Sequence, residues 1–430
     1  MLPRVAGLAL ALLWFASAGE ADRLTPEQKR LNIESFEHVW TTVRDKHWDP
    51  KLGGLDWQAV YNELRPRIES GATMEQARAV MEEMLARLKQ THFNIVPAMV
   101  YEEIGGEFKG EGRSGLTVRV VDDRALVVST EPDSPAATSG VKPGWEIERV
   151  DAKPLAPGLR KIERNFRDST LHDLMLERAV TARLDGAAGS RVNVRFRDAQ
   201  GRGTTLDMER TRPRGERFSF GNLPPMYFWV ESRKVRPDIG YIRFNLFFAP
   251  ETLTKAFANA IQDCAACRGF VVDLRGNPGG IGGLAPGVAG WFLDRPGLRL
   301  GDMLLRSSTL KFVVFPRPTV FRGPLAVLID GCSGSTSEIL AGGLQDLKRA
   351  RVFGMRSAGA ALPSVFERLP NGDGFQYAMA NYISEGGKAL EGAGVAPDVE
   401  VKLTREKLLA GHDPVVDAAL DWIHQQGKLK

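Results

Sequence analysis

A serine at the start of a predicted helix is the residue in this sequence best placed for covalent chemistry. Ser335 follows an apolar strand-like run at 325–329 and precedes a segment with helical periodicity. A hydroxyl at a helix N-terminus lies among backbone N–H groups that have no partner within the helix, at the positive end of the helix dipole. Such groups can hold the oxyanion that forms when a hydroxyl attacks a carbonyl carbon. The position therefore indicates a serine hydrolase.

A glycine-rich strand end that precedes Ser335 in the chain could supply a further N–H donor. The apolar run 270–272 leads into Asp273-Leu-Arg-Gly-Asn-Pro-Gly-Gly280. Each fragment also has an ordinary structural explanation. Ser335-Thr-Ser-Glu338 is a helix capping box, and a glycine turn simply ends a strand. Neither fragment alone indicates catalysis, and only the presence of both in one chain favours it.

The composition is that of an ordinary globular protein of more than one domain. The chain has 430 residues, of which 43% are hydrophobic and 26% charged, with a formal charge of +4. The densest basic cluster is Arg210, Arg212, Arg214 and Arg217. This cluster has no accompanying aromatic pattern, so it indicates a solvated linker, and we expect no nucleic-acid partner.

The first residues resemble a secretory signal peptide. Arg4 precedes an apolar run at 5–15, and Ala16-Ser17-Ala18 is a small-x-small cleavage site. We therefore assign residues 1–18 to a signal peptide and expect export, to the periplasm. An uncleaved anchor is the alternative. No later stretch is apolar enough to cross a bilayer, so we expect no membrane-spanning segment after signal removal.

The chain has three cysteines. The Cys264-Ala-Ala-Cys267 spacing allows a disulfide in an oxidising compartment, or a pair of small apolar residues at a helix end, and we favour the second interpretation. Cys332 lies near Ser335, but its apolar setting favours packing over a nucleophilic role. Because no His or Cys nearby completes a zinc site, we expect no metal.

The pattern of apolar residues changes twice along the chain. Residues 23–103 show three- and four-residue periodicity and predict an N-terminal helical domain. Residues 104–212 alternate as short strands, while 213–430 alternate strands with helices and predict an α/β core with parallel pairing. Two strands at 364–369 and 375–381 flank Pro370-Asn-Gly-Asp-Gly374, which predicts a hairpin.

The middle segment resembles a PDZ domain. The resemblance is carried by Asp133-Ser-Pro-Ala-Ala followed by Gly140-Val-Lys-Pro-Gly144. Such domains bind an extended peptide end by strand addition. The resemblance implies that Gly115, Leu116 and Thr117 would contact the peptide. A PDZ-like spacer without a ligand is the alternative.

The two glycine- and serine-rich fragments together resemble the C-terminal processing (tail-specific) serine protease family. That family carries Asp-Leu-Arg-x-Asn-x-Gly-Gly and Ser-x-Ser-x-Ser-Glu, which match residues 273–280 and 333–338 here. The resemblance implies an α/β fold with a crotonase-like ββα core, an inserted PDZ-like β-rich domain and an N-terminal helical domain. It also implies that Ser335 is the nucleophile and that no cofactor is needed.

One departure from the family pattern concerns the base. Many members place a lysine in a glycine turn after the serine, but the matching turn here, Ser357-Ala-Gly-Ala360-Ala, has Ala360 at that place. A methyl group cannot accept a proton, so a Ser-Lys pair is excluded at this position. The lysine-free branch that resembles the tricorn core protease uses histidine and glutamate instead.

Two segments of this sequence match that branch. His92 follows Leu88 in a Leu-x-x-x-His pattern, and Glu391 begins Glu-x-x-Gly-x-x-Pro-Asp398. The resemblance implies a Ser335, His92, Glu391 arrangement, with an oxyanion hole from the backbone of Thr336 and of Gly279 or Gly280. Each residue also has a structural alternative: a histidine that complements a helix dipole, and a surface acid beside a turn.

The sequence therefore predicts an exported serine endopeptidase that acts on peptides or unfolded protein. The alternative is a catalytically inactive protein on the same fold that binds peptide or lipid, and a scaffold acting only through its PDZ domain is a third possibility. The sequence does not indicate an oligomeric state.

Overall fold

The computed structural model describes residues 23–101, 103–104, 107–108, 111–223 and 225–426. The predicted signal peptide lies outside these residues. Within them, no helix is both long enough and apolar enough to cross a membrane.

The N-terminal segment is helical, as the periodicity predicts. Each helix starts at a residue whose side-chain oxygen accepts a backbone N–H of the first turn: Thr25, Asp56 and Thr73. The elements in chain order are α1 (Pro26–Lys46), a 3-10 turn (Leu52–Gly54), α2 (Trp57–Ser70), α3 (Met74–Ala86), β1 (Asn94–Val96), a 3-10 turn (Ala98–Tyr101), β2 (Glu103–Ile104) and β3 (Glu107–Phe108).

The middle segment is an antiparallel sheet with helices against it. Its elements are β4 (Leu116–Val121), β5 (Arg124–Thr130), α4 (Pro135–Thr138), β6 (Glu146–Val150), β7 (Lys153–Pro154), α5 (Ala156–Phe166), α6 (His172–Leu184), β8 (Arg191–Arg197) and β9 (Gly203–Glu209). The strand order is β4-β5-β6-β8-β9, and β7 pairs with β6. Along β8, Val192, Val194 and Phe196 are buried while the residues between them are exposed, so one face packs on the helices.

The C-terminal segment alternates strands and helices. Its elements are β10 (Glu216–Phe218), β11 (Met226–Phe228), β12 (Val230–Arg236), β13 (Ile239–Phe244), α7 (Pro250–Asp263), β14 (Gly269–Asp273), α8 (Leu284–Ala289), β15 (Arg299–Leu305), β16 (Thr309–Val313), β17 (Leu325–Ile329), α9 (Thr336–Asp346), β18 (Arg351–Gly354), β19 (Ser364–Arg368), β20 (Gly374–Ala378), β21 (Ala380–Ser384), β22 (Val399–Glu400), α10 (Arg405–Leu409) and α11 (Pro414–Gln426).

A largely parallel sheet forms the centre of this segment. Its order is β12-β13-β14-β17-β18-β22, and every pair from β13 to β22 is parallel. Alternate side chains of β17 enter opposite cores. Leu325, Val327 and Ile329 pack with α7, α8 and α9, while Ala326 and Leu328 pack with α11. The predicted α/β fold with parallel pairing is therefore present, and covering both faces with helices explains the continuous apolar runs.

The N-terminal helices pack on a hairpin from the other end of the chain. The predicted hairpin is formed by β19 and β20, which pair antiparallel around the turn at 369–373. β1 adds to β20 as the third strand of that sheet. The helices share a buried apolar cluster with residues 362–378 of this region, so the two chain ends form one core here. The domain boundaries given above remain predictions.

The interpretation of the cysteine pair was wrong. Cys264 and Cys267 form a disulfide directly after α7. The sequence allows both outcomes, because a Cys-x-x-Cys spacing at a helix end fits a disulfide as well as it fits two small apolar residues. Only the path of the turn distinguishes them.

Candidate active site

Ser335 lies at the edge of the parallel sheet where two neighbouring strands end. β14 and β17 run side by side, with Asp273 in register with Leu328. Because the carboxyl ends of parallel strands meet at one edge, the turns that follow them come together. Ser335 is the residue before α9, and its backbone has φ 51° and ψ −116°. A non-glycine residue in this region is strained, and such strain is typical of functional turns.

Hydrogen bonds fasten the serine turn to the glycine turn. The carbonyl oxygen of Asn277 accepts from the Gly334 N–H at 3.0 Å and from the Ser337 hydroxyl at 2.9 Å. The Thr336 hydroxyl donates to the Gly280 carbonyl oxygen at 3.0 Å. The hydroxyl residues around Ser335 therefore hold the two turns against each other, a role that the sequence alone did not show.

The glycine turn lies in van der Waals contact with Ser335. Gly279 has φ +102°, and a Cβ built on it would lie 2.7 Å from the Cβ of Ser335. Its N–H donates to the Asn277 side-chain oxygen at 2.9 Å. By contrast, the N–H groups of Gly280 and Thr336 have no hydrogen-bond partner within the described residues. Of the three predicted oxyanion-hole residues, these two have a free N–H donor.

A buried carboxylate fixes the backbone of Ser335. Glu338 is fully buried, and one of its oxygens accepts from the N–H of Ser335 at 2.9 Å and from the N–H of Ala360 at 3.0 Å. The other accepts from the Ser357 hydroxyl at 2.6 Å and from the Gly359 N–H at 2.8 Å. Burial raises the pKa of Glu338 to about 7, while these four donors stabilise its charged form. The capping-box glutamate thus joins the serine turn to the loop 357–360.

That loop contains Ala360, the position at which the family resemblance would place a lysine. The Ala360 carbonyl oxygen accepts from the Ser335 N–H at 2.8 Å, so the alanine lies directly beside the serine turn. The next residue, Ala361, donates its N–H to a Glu391 oxygen at 3.1 Å. The loop therefore contacts Ser335 through one residue and Glu391 through the next.

The hairpin sheet positions the segment that contains Thr91 and His92. His92 lies between α3 and β1, and β1 pairs with β20, whose partner β19 directly follows the loop. The backbone of His92 has φ 61°, in the left-handed region. The following residue, Phe93, is buried and stacks on the ring of His47 with centroids 5.6 Å apart, which anchors the segment.

The contact between histidine and glutamate runs through a residue that the sequence reasoning missed. The Thr91 hydroxyl donates to a Glu391 oxygen at 2.9 Å and lies 2.7 Å from Nδ1 of His92. The Thr91 N–H donates to the other Glu391 oxygen at 2.8 Å. Within the described residues, Glu391 has no direct hydrogen bond to His92. A hydroxyl residue immediately before the histidine is the one sequence signal that could have indicated this.

The protonation states suit a neutral imidazole beside a buried carboxyl group. Burial, and next the charge of Arg178, lower the pKa of His92 to about 4. Burial raises the pKa of Glu391, whereas its bonds from Thr91 and Ala361 act in the opposite direction. Since its hydroxyl hydrogen is donated to Glu391, Thr91 can only accept from Nδ1–H. This leaves Nε2 of His92 with the free lone pair that a base requires.

Cys332 lies in the turn that precedes Ser335, whereas the predicted peptide-binding residues lie at the edge of the middle sheet. Cys332 is buried, and burial raises the pKa of its thiol, so it is a poor nucleophile. Leu116 and Thr117 lie on β4, an edge strand, opposite Thr130 and Ser129. Gly115 precedes them with φ +82°. These three residues are therefore not part of the Ser335 turn.

Comparisons with known proteins find sequence similarity in the segments that form this site. The sequence model of Peptidase family S41 matches residues 238–401, and that of the tricorn protease C1 domain matches residues 32–86. The carboxy-terminal-processing protease of Bartonella bacilliformis is 26% identical over 344 residues, which cover 78% of this chain and 72% of the relative. The carboxyl-terminal-processing protease of Synechocystis is 25% identical over 421 residues, which cover 96% of this chain and 90% of the relative.

A solved structure shows the same fold. The photosystem II D1 C-terminal processing protease superposes with a TM-score of 0.57 at 22% identity, over 91% of this chain and 99% of its own. The family match covers both the Ser335 turn and the Glu391 segment, and the tricorn match covers the helices that precede His92. These matches support a serine-type peptidase of the C-terminal-processing protease family.

Proposed function

We propose that this chain is an exported serine endopeptidase in which Ser335 is the nucleophile and His92 the general base. Glu391 acts on the base through Thr91. The observation that carries the proposal is the loop 357–361, which bonds the Ser335 turn through Ala360 and the Glu391 carboxylate through Ala361. It supports the convergence of three distant parts of the chain at one place.

The first half of the reaction acylates the serine. Nε2 of His92 takes the hydroxyl proton of Ser335 as the oxygen attacks the carbonyl carbon of the peptide bond. The hydrogen bond from Nδ1–H to the Thr91 oxygen stabilises the resulting imidazolium, because Thr91 is itself polarised by Glu391. The imidazolium then donates its proton to the amine nitrogen, and the C–N bond breaks.

The negative charge on the attacked carbonyl oxygen is held by backbone donors. The free N–H groups of Gly280 and Thr336 lie on the two turns that bracket Ser335. Loss of one such donor typically costs about two to three orders of magnitude in rate. In the second half, His92 deprotonates a water molecule that attacks the acyl carbon, and Ser335 regains the proton as the ester bond breaks.

Two further parts of the proposal concern delivery of the substrate. The antiparallel middle segment leaves β4 at the sheet edge, where an extended peptide could add as a further strand near Leu116 and Thr117. Residues 1–18 would direct the chain across the inner membrane to the periplasm. Strand addition at β4 would let the enzyme recognise a peptide end, and the signal peptide would place the enzyme in the periplasm.

The test is labelling by a fluorophosphonate probe together with hydrolysis of a quenched peptide. We expect the wild type to be labelled, Ser335→Ala to show no labelling, and His92→Ala to lose most of its labelling rate. Ser70→Ala and His412→Ala are matched controls at exposed positions. Labelling that persists in Ser335→Ala would exclude it as the nucleophile. A wild type that neither reacts nor cleaves would favour the inactive, ligand-binding alternative.

A further inference from the structure

One face of α6 lies directly over the proposed active site. Leu174 and Met175 of this helix pack with Cys332, Ala358 and Ala360. The Cys332 sulfur lies 3.9 Å from the carbonyl oxygen of Asp173. The helix therefore packs against both the turn that precedes Ser335 and the loop 357–361.

Arg178 lies one helical turn further along that face. It is three residues after Met175 and four after Leu174, the spacing at which side chains share one side of a helix. Its positive charge acts on two groups of the proposed site, the imidazole of His92 and the thiol of Cys332. It lowers the pKa of His92, second to burial, and it interacts electrostatically with Cys332.

This guanidinium has no ion-pair or hydrogen-bond partner in the part of the chain that the structure describes. Its sequence neighbour, Glu177, forms no ion pair with it there, and the strongest attraction on the Glu177 carboxyl group comes from Arg119. Burial lowers the pKa of Arg178. The side chain is therefore partly removed from water, and the charge of Glu177 attracts it without forming a direct ion pair.

Three other arginines with little exposure to solvent have direct partners. Arg119 pairs with Asp330 at 2.8 Å, and Arg275 pairs with Asp273 at 2.6 Å. Arg210 donates to the Leu184 carbonyl oxygen at 2.7 Å. A buried charge is costly unless it is paired, so an unpaired guanidinium at a reaction site indicates a partner that arrives with the ligand.

The geometry points to Arg178 as a specificity residue that binds a carboxylate of the peptide substrate beside the scissile bond. A guanidinium presents a planar fork of donors that matches a carboxylate with two parallel hydrogen bonds. The carboxylate comes either from the C-terminus of the peptide or from an Asp or Glu side chain. The inference rests on the proposed function, because it needs a peptide in the Ser335 site.

The test compares peptides that differ only in the carboxylate. One pair carries a free or an amidated C-terminus a few residues after the cleaved bond, and a second pair carries Glu or Gln at one position on that side. We expect the full-length wild type to prefer the carboxylate of at least one pair by about 10- to 100-fold in kcat/KM. The pair that shows the preference identifies the source of the carboxylate.

Variants then assign the preference to the residue. Arg178→Met should bring the kcat/KM ratio within each pair close to one, mainly through KM, and Arg178→Lys should restore part of it. Arg164→Met, at an exposed position on the neighbouring helix α5, should keep the wild-type ratio. The ratio is used because it does not depend on the absolute activity of a variant, and circular dichroism checks folding.

The outcomes separate this inference from the proposed function. If the wild type reacts with the fluorophosphonate and cleaves peptides but shows no preference in either pair, the inference fails and the proposed function stands. A preference that survives Arg178→Met in a folded protein also overturns it. If the wild type neither reacts nor cleaves, the proposed function fails and the inference fails with it.

Discussion

Replacing Thr91 by valine tests whether Glu391 acts on His92 through a hydroxyl. Valine has nearly the same shape as threonine, and Thr91 is 4% exposed, so packing is largely retained. The backbone N–H of residue 91 keeps its bond to Glu391. The substitution removes two contacts, the 2.9 Å bond to the carboxylate and the 2.7 Å contact with Nδ1 of His92.

The size of the effect follows from the bond to the imidazolium. A hydrogen bond that involves a charged group contributes about 1.5–3 kcal/mol, and the imidazole becomes charged only as the reaction proceeds. Losing that bond corresponds to a fall of about 10- to 150-fold in kcat. KM should change little, because the free imidazole is neutral and Thr91 is not expected to touch the substrate.

The assay is steady-state peptide hydrolysis, with the rate of fluorophosphonate labelling as a second measure. Thr91→Ser is the matched control, because it keeps the hydroxyl and should keep kcat within a few fold. A double-mutant cycle with Glu391→Gln sharpens the test. If both residues act through one chain of hydrogen bonds, the double variant should be little slower than either single variant. A valine variant with wild-type kcat, or additive effects in the cycle, would refute the relay.

Three further predictions follow from the same site. As burial lowers the pKa of His92 to about 4, protonation of this base should lower kcat/KM through about pH 4. A separate step near pH 7 would report Glu338, whose pKa burial raises to about 7, and a profile without a step near pH 4 would contradict the value for His92. Gly279→Ala should abolish labelling, because the new Cβ would lie 2.7 Å from that of Ser335, whereas Gly283→Ala, with open space around it, should label normally. Glu338→Gln places an amide nitrogen against two of the four N–H or O–H donors that the carboxylate accepts from. The free energy of unfolding, measured by urea denaturation, should therefore fall by about 2–6 kcal/mol. An unchanged free energy of unfolding would disprove the role of the carboxylate.

The part of the site that local sequence could predict is the part made by adjacent strands. Ser335 and the glycine turn each follow an apolar run, and runs of this kind form neighbouring parallel strands whose ends meet at one edge. Glu338 was predicted as a capping residue, and its bond to the Ser335 N–H is present. Its other three bonds come from the loop 357–360, which no short-range pattern could indicate.

The part that sequence did not predict depends on contacts between distant segments. Thr91 and Glu391 are 300 residues apart, and their bonds exist only because β1 adds to β20. A threonine before a histidine has many ordinary explanations, so its type and position alone are a weak signal of this contact. The disulfide between Cys264 and Cys267 was missed for a different reason. It is local, and its formation depends on the path of one turn that the spacing of the cysteines does not specify.

With alanine at position 360, the proposed base comes from another part of the fold. A lysine at the Ala360 position would be held by the same loop that Glu338 fastens to the Ser335 turn. His92 instead belongs to the N-terminal segment, whose helices share a core with the β19–β20 hairpin. A buried ion pair reinforces this packing, since Arg78 of α3 binds the fully buried Asp373 of the hairpin turn at 2.9 Å. The proposed nucleophile is thus positioned by the central sheet and the proposed base by a separate core, so the distance between Ser335 and His92 depends on how the N-terminal helices pack on the hairpin.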